Sequence, residues 1–323
     1  MRPRDDVMQH QALFPILFGF LTLASGCGTQ PERAEAKPAT PPVAAKSTAA
    51  DALMVQALLR RSADPGSPQG LESAKQAAER APNRKDIAWL HMQFCQQVSG
   101  CNSAALETRL RKLDPDNGNA WLGALARAQE QNDSLAEDKI LDELSRSKHF
   151  NIYWNTLVSK TAVALSSQAA PPADPKKPGE PLTQAVNQAV DWASTVAVES
   201  FEPLGEACGA ARTIKGNVAQ RCAQIAAALQ RSDTYIAEGI GLGIAQRLTT
   251  VGTPSAQKVE TRIDTIRYQR DAAGAIMEAQ VDREKFTREL INLMASLPRE
   301  QDVFIAVIRW AGQPLEPNTM ATK

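Results

Sequence analysis

Apolar residues recur along most of the chain at helical spacing. Leu135, Ile140, Leu141 and Leu144 share one face behind the start signal at Asp133 and Ser134. Val186, Ala189, Val190, Ala193 and Val196 form a second such stripe. Ile236, Ile240, Ile244 and Leu248 form a third, with Asp233 as its cap, and Phe286, Leu290, Leu293, Met294 and Leu297 a fourth. The pattern predicts helices over 52–61, 69–81, 86–98, 102–113, 118–130, 134–147, 151–165, 182–201, 233–248, 262–281 and 282–297. A last helix carries Pro298 in its first turn and stops at Gly312. The run Val303 to Trp310 could also be a buried strand, but its 3–4 spacing favours helix.

The interruptions divide the chain. Prolines crowd 167–181 (Ala-Ala-Pro-Pro-Ala-Asp-Pro-Lys-Lys-Pro-Gly-Glu-Pro lies within it), so a linker is expected between helical regions at 51–166 and 182–313, with a tail at 314–323. Gly28 to Ala50 is rich in Pro, Ala, Thr and Lys without periodicity and reads as an extended tether. Before it, Ala12 to Ala24 is an apolar run too short to span a bilayer, which needs about 20 residues, but suited to a signal-peptide core. The run ends in Ser25-Gly26-Cys27. This sequence resembles the lipobox of bacterial lipoproteins. The resemblance implies that 1–26 is a signal peptide and that Cys27 becomes the lipidated first residue, anchored to a membrane. Gly28, rather than Asp, after the cysteine implies the outer membrane of a Gram-negative host.

Composition narrows the fold. The 323 residues include 52 alanines, while aromatics make up only 5%. Alanine-rich, aromatic-poor sequence suits packed helices and not a β-sandwich or barrel. Lys+Arg and Asp+Glu both number 36, which excludes a strongly basic nucleic-acid binder, so no nucleic-acid partner is expected.

Apart from Cys27, the cysteines form two local pairs, Cys95 with Cys101 and Cys208 with Cys222. Four cysteines allow three connectivities, and the local one is favoured because each pair brackets a turn signal, Val98-Ser99-Gly100 in one and Thr213 to Asn217 in the other. An oxidising exterior would make both bridges expected. Neither pair has CxxC spacing, and no metal is expected.

Trp89, Trp121 and Trp154 stand 32 and 33 residues apart, two of them in Ala-Trp-Leu. Ala81-Pro82-Asn83 and Asp114-Pro115-Asp116-Asn117 precede the first two. This spacing, above all the junction Leu113 to Trp121, resembles degenerate tetratricopeptide repeats; an irregular bundle with coincident Trp spacing is the alternative. The resemblance implies stacked helical hairpins with the three indoles in the repeat core. It also implies a partner groove on the first helix of each hairpin, carrying Gln97, Asn119, Gln129 and Asn155 beside Ile87, Leu90, Phe94, Leu122, Ala126 and Ile152. The plainer alternative for these positions is a solvated face. The expected fold is therefore all-α: stacked hairpins followed by a disulfide-braced helical region.

Catalytic signals are thin. Ser145-Arg146-Ser147-Lys148 and Ser255-Ala256-Gln257-Lys258 match Ser-x-x-Lys, but no Lys-Thr-Gly accompanies them. Gly239-Ile240-Gly241-Leu242-Gly243 lacks the preceding strand and following Lys of a nucleotide loop, and close helix packing is the expected reason for its glycines. Glu238 is the one acid in a locally apolar stretch. The expectation is a non-enzymatic, lipid-anchored adaptor without cofactors that binds a protein or peptide in envelope assembly, secretion or cell-wall enzyme control. The alternatives are a peptidoglycan-directed hydrolase using Glu238, with that residue in a cleft, and an immunity-type inhibitor, which presents a convex plug rather than a groove.

Overall fold

The computed structural model describes residues 48–64, 66–168, 180–199, 201–209 and 217–317. The signal-like run, Cys27, most of the expected tether, the Pro-rich stretch 169–179 and residues 213–216 of the expected turn lie outside the described residues. What is described is all-helical. Fourteen helices run in order: α1 Ala49–Ala63, α2 Pro68–Arg80, α3 Lys85–Gln97, α4 Ser103–Leu113, α5 Asn119–Glu130, α6 Ser134–Arg146, α7 Trp154–Gln168, α8 Glu180–Glu199, α9 Glu202–Ala207, α10 Val218–Leu229, α11 Tyr235–Leu248, α12 Pro254–Glu278, α13 Arg283–Ser296 and α14 Glu300–Trp310. Val303 to Trp310 is helix, and the one β feature among the described residues is an isolated parallel bridge between Asn117 and His149.

Short polar residues start many of these helices as their chemistry dictates, since a side-chain oxygen can accept an orphan N–H of the first turn. Asp133 accepts from Ala136 N–H at 2.9 Å, and Asp282 accepts from Lys285 N–H at 3.1 Å. Thr48 and Asp51 form a reciprocal capping box on α1. Three predicted starts move. α12 begins at Pro254 rather than near 262, because Thr253 caps it and Pro254 fits the first helical position. α14 begins at Glu300, leaving Pro298 outside. α11 is capped by Thr234, whose hydroxyl accepts from Ala237 N–H at 3.1 Å, and not by Asp233.

The first six helices pack neighbour on neighbour, α1 on α2 through α5 on α6. The order then breaks. α6 is followed in space by α10, then α11, α12 and α14. α7 packs instead against α1, α8 and α13. With α13 also touching α14, the packing circuit closes on α1. One apolar core runs through all of this, from Met54 and Trp89 to Leu204, Ile225 and Val307. The stretch at 167–181 therefore separates two regions of sequence that share a single core.

The cysteines pair locally. Cys95 is bonded to Cys101 with a Cα separation of 5.4 Å, and Cys208 to Cys222 with 5.7 Å. The first bridge closes the α3–α4 turn at Gly100, where φ is +80°. The second ties α9 to α10.

Candidate functional site

Most of the residues predicted to line a partner groove are buried, and Asn119, Gln129 and Asn155 bond to the chain itself. Asn119 opens α5 with no solvent exposure, and its Nδ2 donates to the Phe150 carbonyl at 3.3 Å. Gln129, near the end of the same helix, donates to the Pro203 carbonyl at 3.0 Å and to Glu137 at 3.3 Å. Asn155, on the first turn of α7, is buried and donates to the Leu297 carbonyl at 2.8 Å. Gln97 is half-buried at the end of α3. Ile87, Leu90, Phe94, Leu122 and Ile152 are buried core, and Ala126 is half-buried. Neither an open groove nor a solvated face describes Asn119 and Asn155, which are buried, while Gln129 is half-buried. A buried amide must find partners, and here the partners are the chain's own carbonyls.

The three indoles differ. Trp89 sits mid-α3 at 1% exposure, wholly in the core. Trp121 is half-buried, and the Arg111 guanidinium lies 4.2 Å above its ring. Trp154 is buried at the first position of α7, a helix that leaves the stack.

The departure begins in the turn before it. The junction 114–118 lies beside the equivalent junction 147–151: Lys148 N–H donates to the Asp116 carbonyl at 2.9 Å, and Gly118 N–H to the His149 carbonyl at 2.8 Å. Phe150 packs so closely over Gly118 that a Cβ there would lie 2.4 Å from its ring. Tyr153 then adopts φ +60°, the left-handed region that side chains rarely take. Its hydroxyl donates to Asp114 at 2.8 Å and accepts from Asn117 at 3.1 Å. The two junctions run side by side up to Phe150; at Tyr153 the backbone turns away.

A second set of residues holds the turned chain, and of these only Asp233 and Glu238 stand out in the sequence. Asp233 accepts from Ile152 N–H and Trp154 N–H, each at 3.0 Å. Ser232 accepts from Phe150 N–H at 2.8 Å. Burial pushes the Asp233 carboxyl up to about 6, against the pull of those backbone bonds. Glu300 Oε2 accepts from Tyr235 N–H at 2.8 Å, while its own N–H donates to the Asp233 carbonyl at 2.8 Å. Glu300 is pushed up to about 7, first by burial and also by Asp233, against Tyr235 N–H and Arg270. Glu238 is 3% exposed and lies on no open face. Its Oε1 holds Arg262 at 2.6 and 2.7 Å, and its Oε2 accepts from Gln301 at 3.0 Å. Both oxygens of that carboxylate are engaged by side chains of the protein.

The other buried acids are treated in the same way. Glu107 takes a two-pronged grip from Arg127 at 2.6 and 2.7 Å. Burial alone would raise Asp51, but Thr48, Arg84 and Lys160 together hold it below its ordinary value. Lys148 pairs with Asp116 at 2.9 Å and Ser145 donates to the Asp142 carbonyl, so that Ser-x-x-Lys match is bonded elsewhere. Ser255 and Lys258 stand exposed on α12. Among the described residues no three His, Cys, Asp or Glu side chains gather as a metal would need, and no helix is long and apolar enough to cross a membrane. The glycines of α11 divide: a Cβ at Gly241 would lie 2.7 Å from the Ala226 carbonyl, whereas Gly239 and Gly243 have nothing within 4 Å. Close packing accounts for the first alone.

Compared with protein families, with curated proteins and with solved structures, the chain matches none.

Proposed function

We propose that the protein is a non-enzymatic, lipid-anchored binding protein of the cell envelope. It presents a helical body at the outer membrane, facing the periplasm, and meets its protein partner through its outer surface. One observation carries the choice of surface: the amides of Asn119, Gln129 and Asn155, which a peptide would have to reach, are bonded to Phe150, Pro203 and Leu297 of the same chain. Asn119 and Asn155 are buried, out of reach of an extended ligand. This favours the inhibitor-like alternative, a body that docks by its outside, over an adaptor that clasps a peptide.

The two local disulfides support a compartment outside the reducing cytosol. The lipobox-like Ser25-Gly26-Cys27 supports anchoring by a lipid on Cys27. The network of polar partners around Glu238 gives a structural reason for an acid in that apolar stretch.

Two measurements test the reading. Cys27→Ala should move the protein from the membrane to the soluble fraction, and unchanged fractionation overturns the anchor. A photo-crosslinking side chain at Leu135, which is 66% exposed on α6, should capture a partner in intact cells, and the same probe at Leu122 should capture none. The reverse pattern would restore the groove.

A further inference from the structure

The turn between α5 and α6 is exposed from Glu130 through Ser134. Its backbone is fixed. Asn132 N–H donates to the Gln129 carbonyl at 3.0 Å and Asp133 N–H to the Ala128 carbonyl at 2.9 Å, which closes the end of α5. Asn132 takes φ +54°, in the left-handed region that asparagine tolerates better than most residues. Asp133 then caps α6 through Ala136 N–H. This geometry accounts for the backbone at Asn132 and the side chain of Asp133. It leaves other side chains unused. The Asn132 carboxamide and the Ser134 hydroxyl bond to nothing among the described residues. Glu130 lies near Arg127, but both terminal nitrogens of Arg127 donate to Glu107.

The unused groups have a joint meaning. Asn132 is the one asparagine of the chain with a serine or threonine two places on, and the residue between, Asp133, is not proline. Asn-x-Ser is the acceptor pattern of N-linked sugar transfer, and it belongs on a surface turn. In that reaction the hydroxyl fixes the peptide while the carboxamide nitrogen attacks. An acid two places before the asparagine, as Glu130 is, adds an ionic contact and completes the longer pattern read by bacterial transferases.

We propose that Asn132 is the acceptor for an oligosaccharide carried on a polyisoprenyl diphosphate, with Glu130 and Ser134 as its recognition residues. In the transfer, Nδ2 of Asn132 bonds to C1 of the first sugar and releases a proton to solvent. The bond from C1 to the diphosphate oxygen breaks, and its electron pair leaves with the polyisoprenyl diphosphate. The fold also sets a brake. A transferase groove takes its peptide extended, whereas Glu130 ends α5 and Ser134 begins α6. Both helix ends must open first, and helix ends are where local opening is easiest. The Asp133 cap opposes that opening. The site needs a chain outside the reducing cytosol, as the disulfides support, and does not depend on the lipid anchor.

The test incubates the folded, oxidised protein with a purified bacterial oligosaccharyltransferase and its polyisoprenyl-diphosphate-linked oligosaccharide. The intact mass should rise by one oligosaccharide, placed on Asn132 by peptide mapping. Ser134→Ala removes a hydroxyl that has no partner in the fold, and it should abolish the transfer, while Ser134→Thr should keep it. Glu130→Gln should slow the transfer about tenfold, the size expected of one charged contact. Asp133→Ala should speed it about fivefold by releasing the cap. A folded protein that takes up no sugar, or takes it up only after denaturation, overturns the proposal, as does undiminished transfer to the Ser134→Ala variant.

Discussion

The junctions before Trp121 and before Trp154 start alike and end differently. Both carry a polar turn, and the two turns lie side by side through the Asn117–His149 bridge. After Gly118 the chain enters α5 at once and stacks on α4. After Phe150 it runs through Ile152 and a left-handed Tyr153 before α7 begins, and α7 packs on α1, α8 and α13. The first turn is held from within, with Asn119 N–H on Asn117 at 3.1 Å, and by the second turn, as where Asn117 donates to the Asn151 carbonyl at 2.9 Å. The second is held by Ser232 and Asp233, 82 and 81 residues away from the amides they bind. The two junctions thus share a loop geometry but not the packing of the helix that follows, and the second is tied by a buried carboxylate to a distant turn.

The most damaging way to break this contrast is at that carboxylate. Asp233→Ala strands the Ile152 and Trp154 amides in a dry interior. Each lost partner costs about 1–3 kcal/mol, so the variant should lose about 3–5 kcal/mol in chemical denaturation. A loss below about 1 kcal/mol would mean that α7 is directed by packing alone. The indoles provide the next test. Trp89→Ala should cost about 3–5 kcal/mol as a core truncation. Trp121→Ala should cost less than half of that, since it gives up a half-exposed ring and its contact with Arg111. Equal costs would put the two in equivalent surroundings and rebuild the regular repeat. The finest distinction lies in α11. Gly241→Ala should destabilise by about 1–3 kcal/mol, because its new methyl meets Ala226 and Leu229. Gly239→Ala, on the same helix but in open space, should stabilise by about 0.5–1 kcal/mol. Two losses of similar size would show that both faces of the helix are packed.

The two regions are also unequally readable from sequence. The helical class and most helix spans follow from apolar spacing, caps and prolines, as with Asp133 before α6 and Pro115 after α4. These signals are local, within one turn of the residues they govern. The disulfide pairing is readable for the same reason, each pair bracketing one turn. The partners of Asn119, Gln129 and Asn155 are not legible, because such amides look alike in sequence whether they face a ligand or a carbonyl of the same chain. Asp233 reads as a cap, which is a local role. That Thr234 takes the cap and frees Asp233 to hold α7 depends on the approach of residues 150–154, and no spacing within 230–240 encodes that approach. Asp233 is thus visible as a polar residue at a helix start, but its partners are not.

The capping box of α1 has a mechanical consequence. Asp51 binds the Thr48 N–H and hydroxyl, each at 2.8 Å, and the same carboxylate pairs with Arg84 at 3.1 Å and lies 3.8 Å from Lys160. Traction applied at residue 48 is therefore shared with the entry of α3 and the middle of α7 before α1 can unwind. The load enters the body at a braced corner, not at a fraying end.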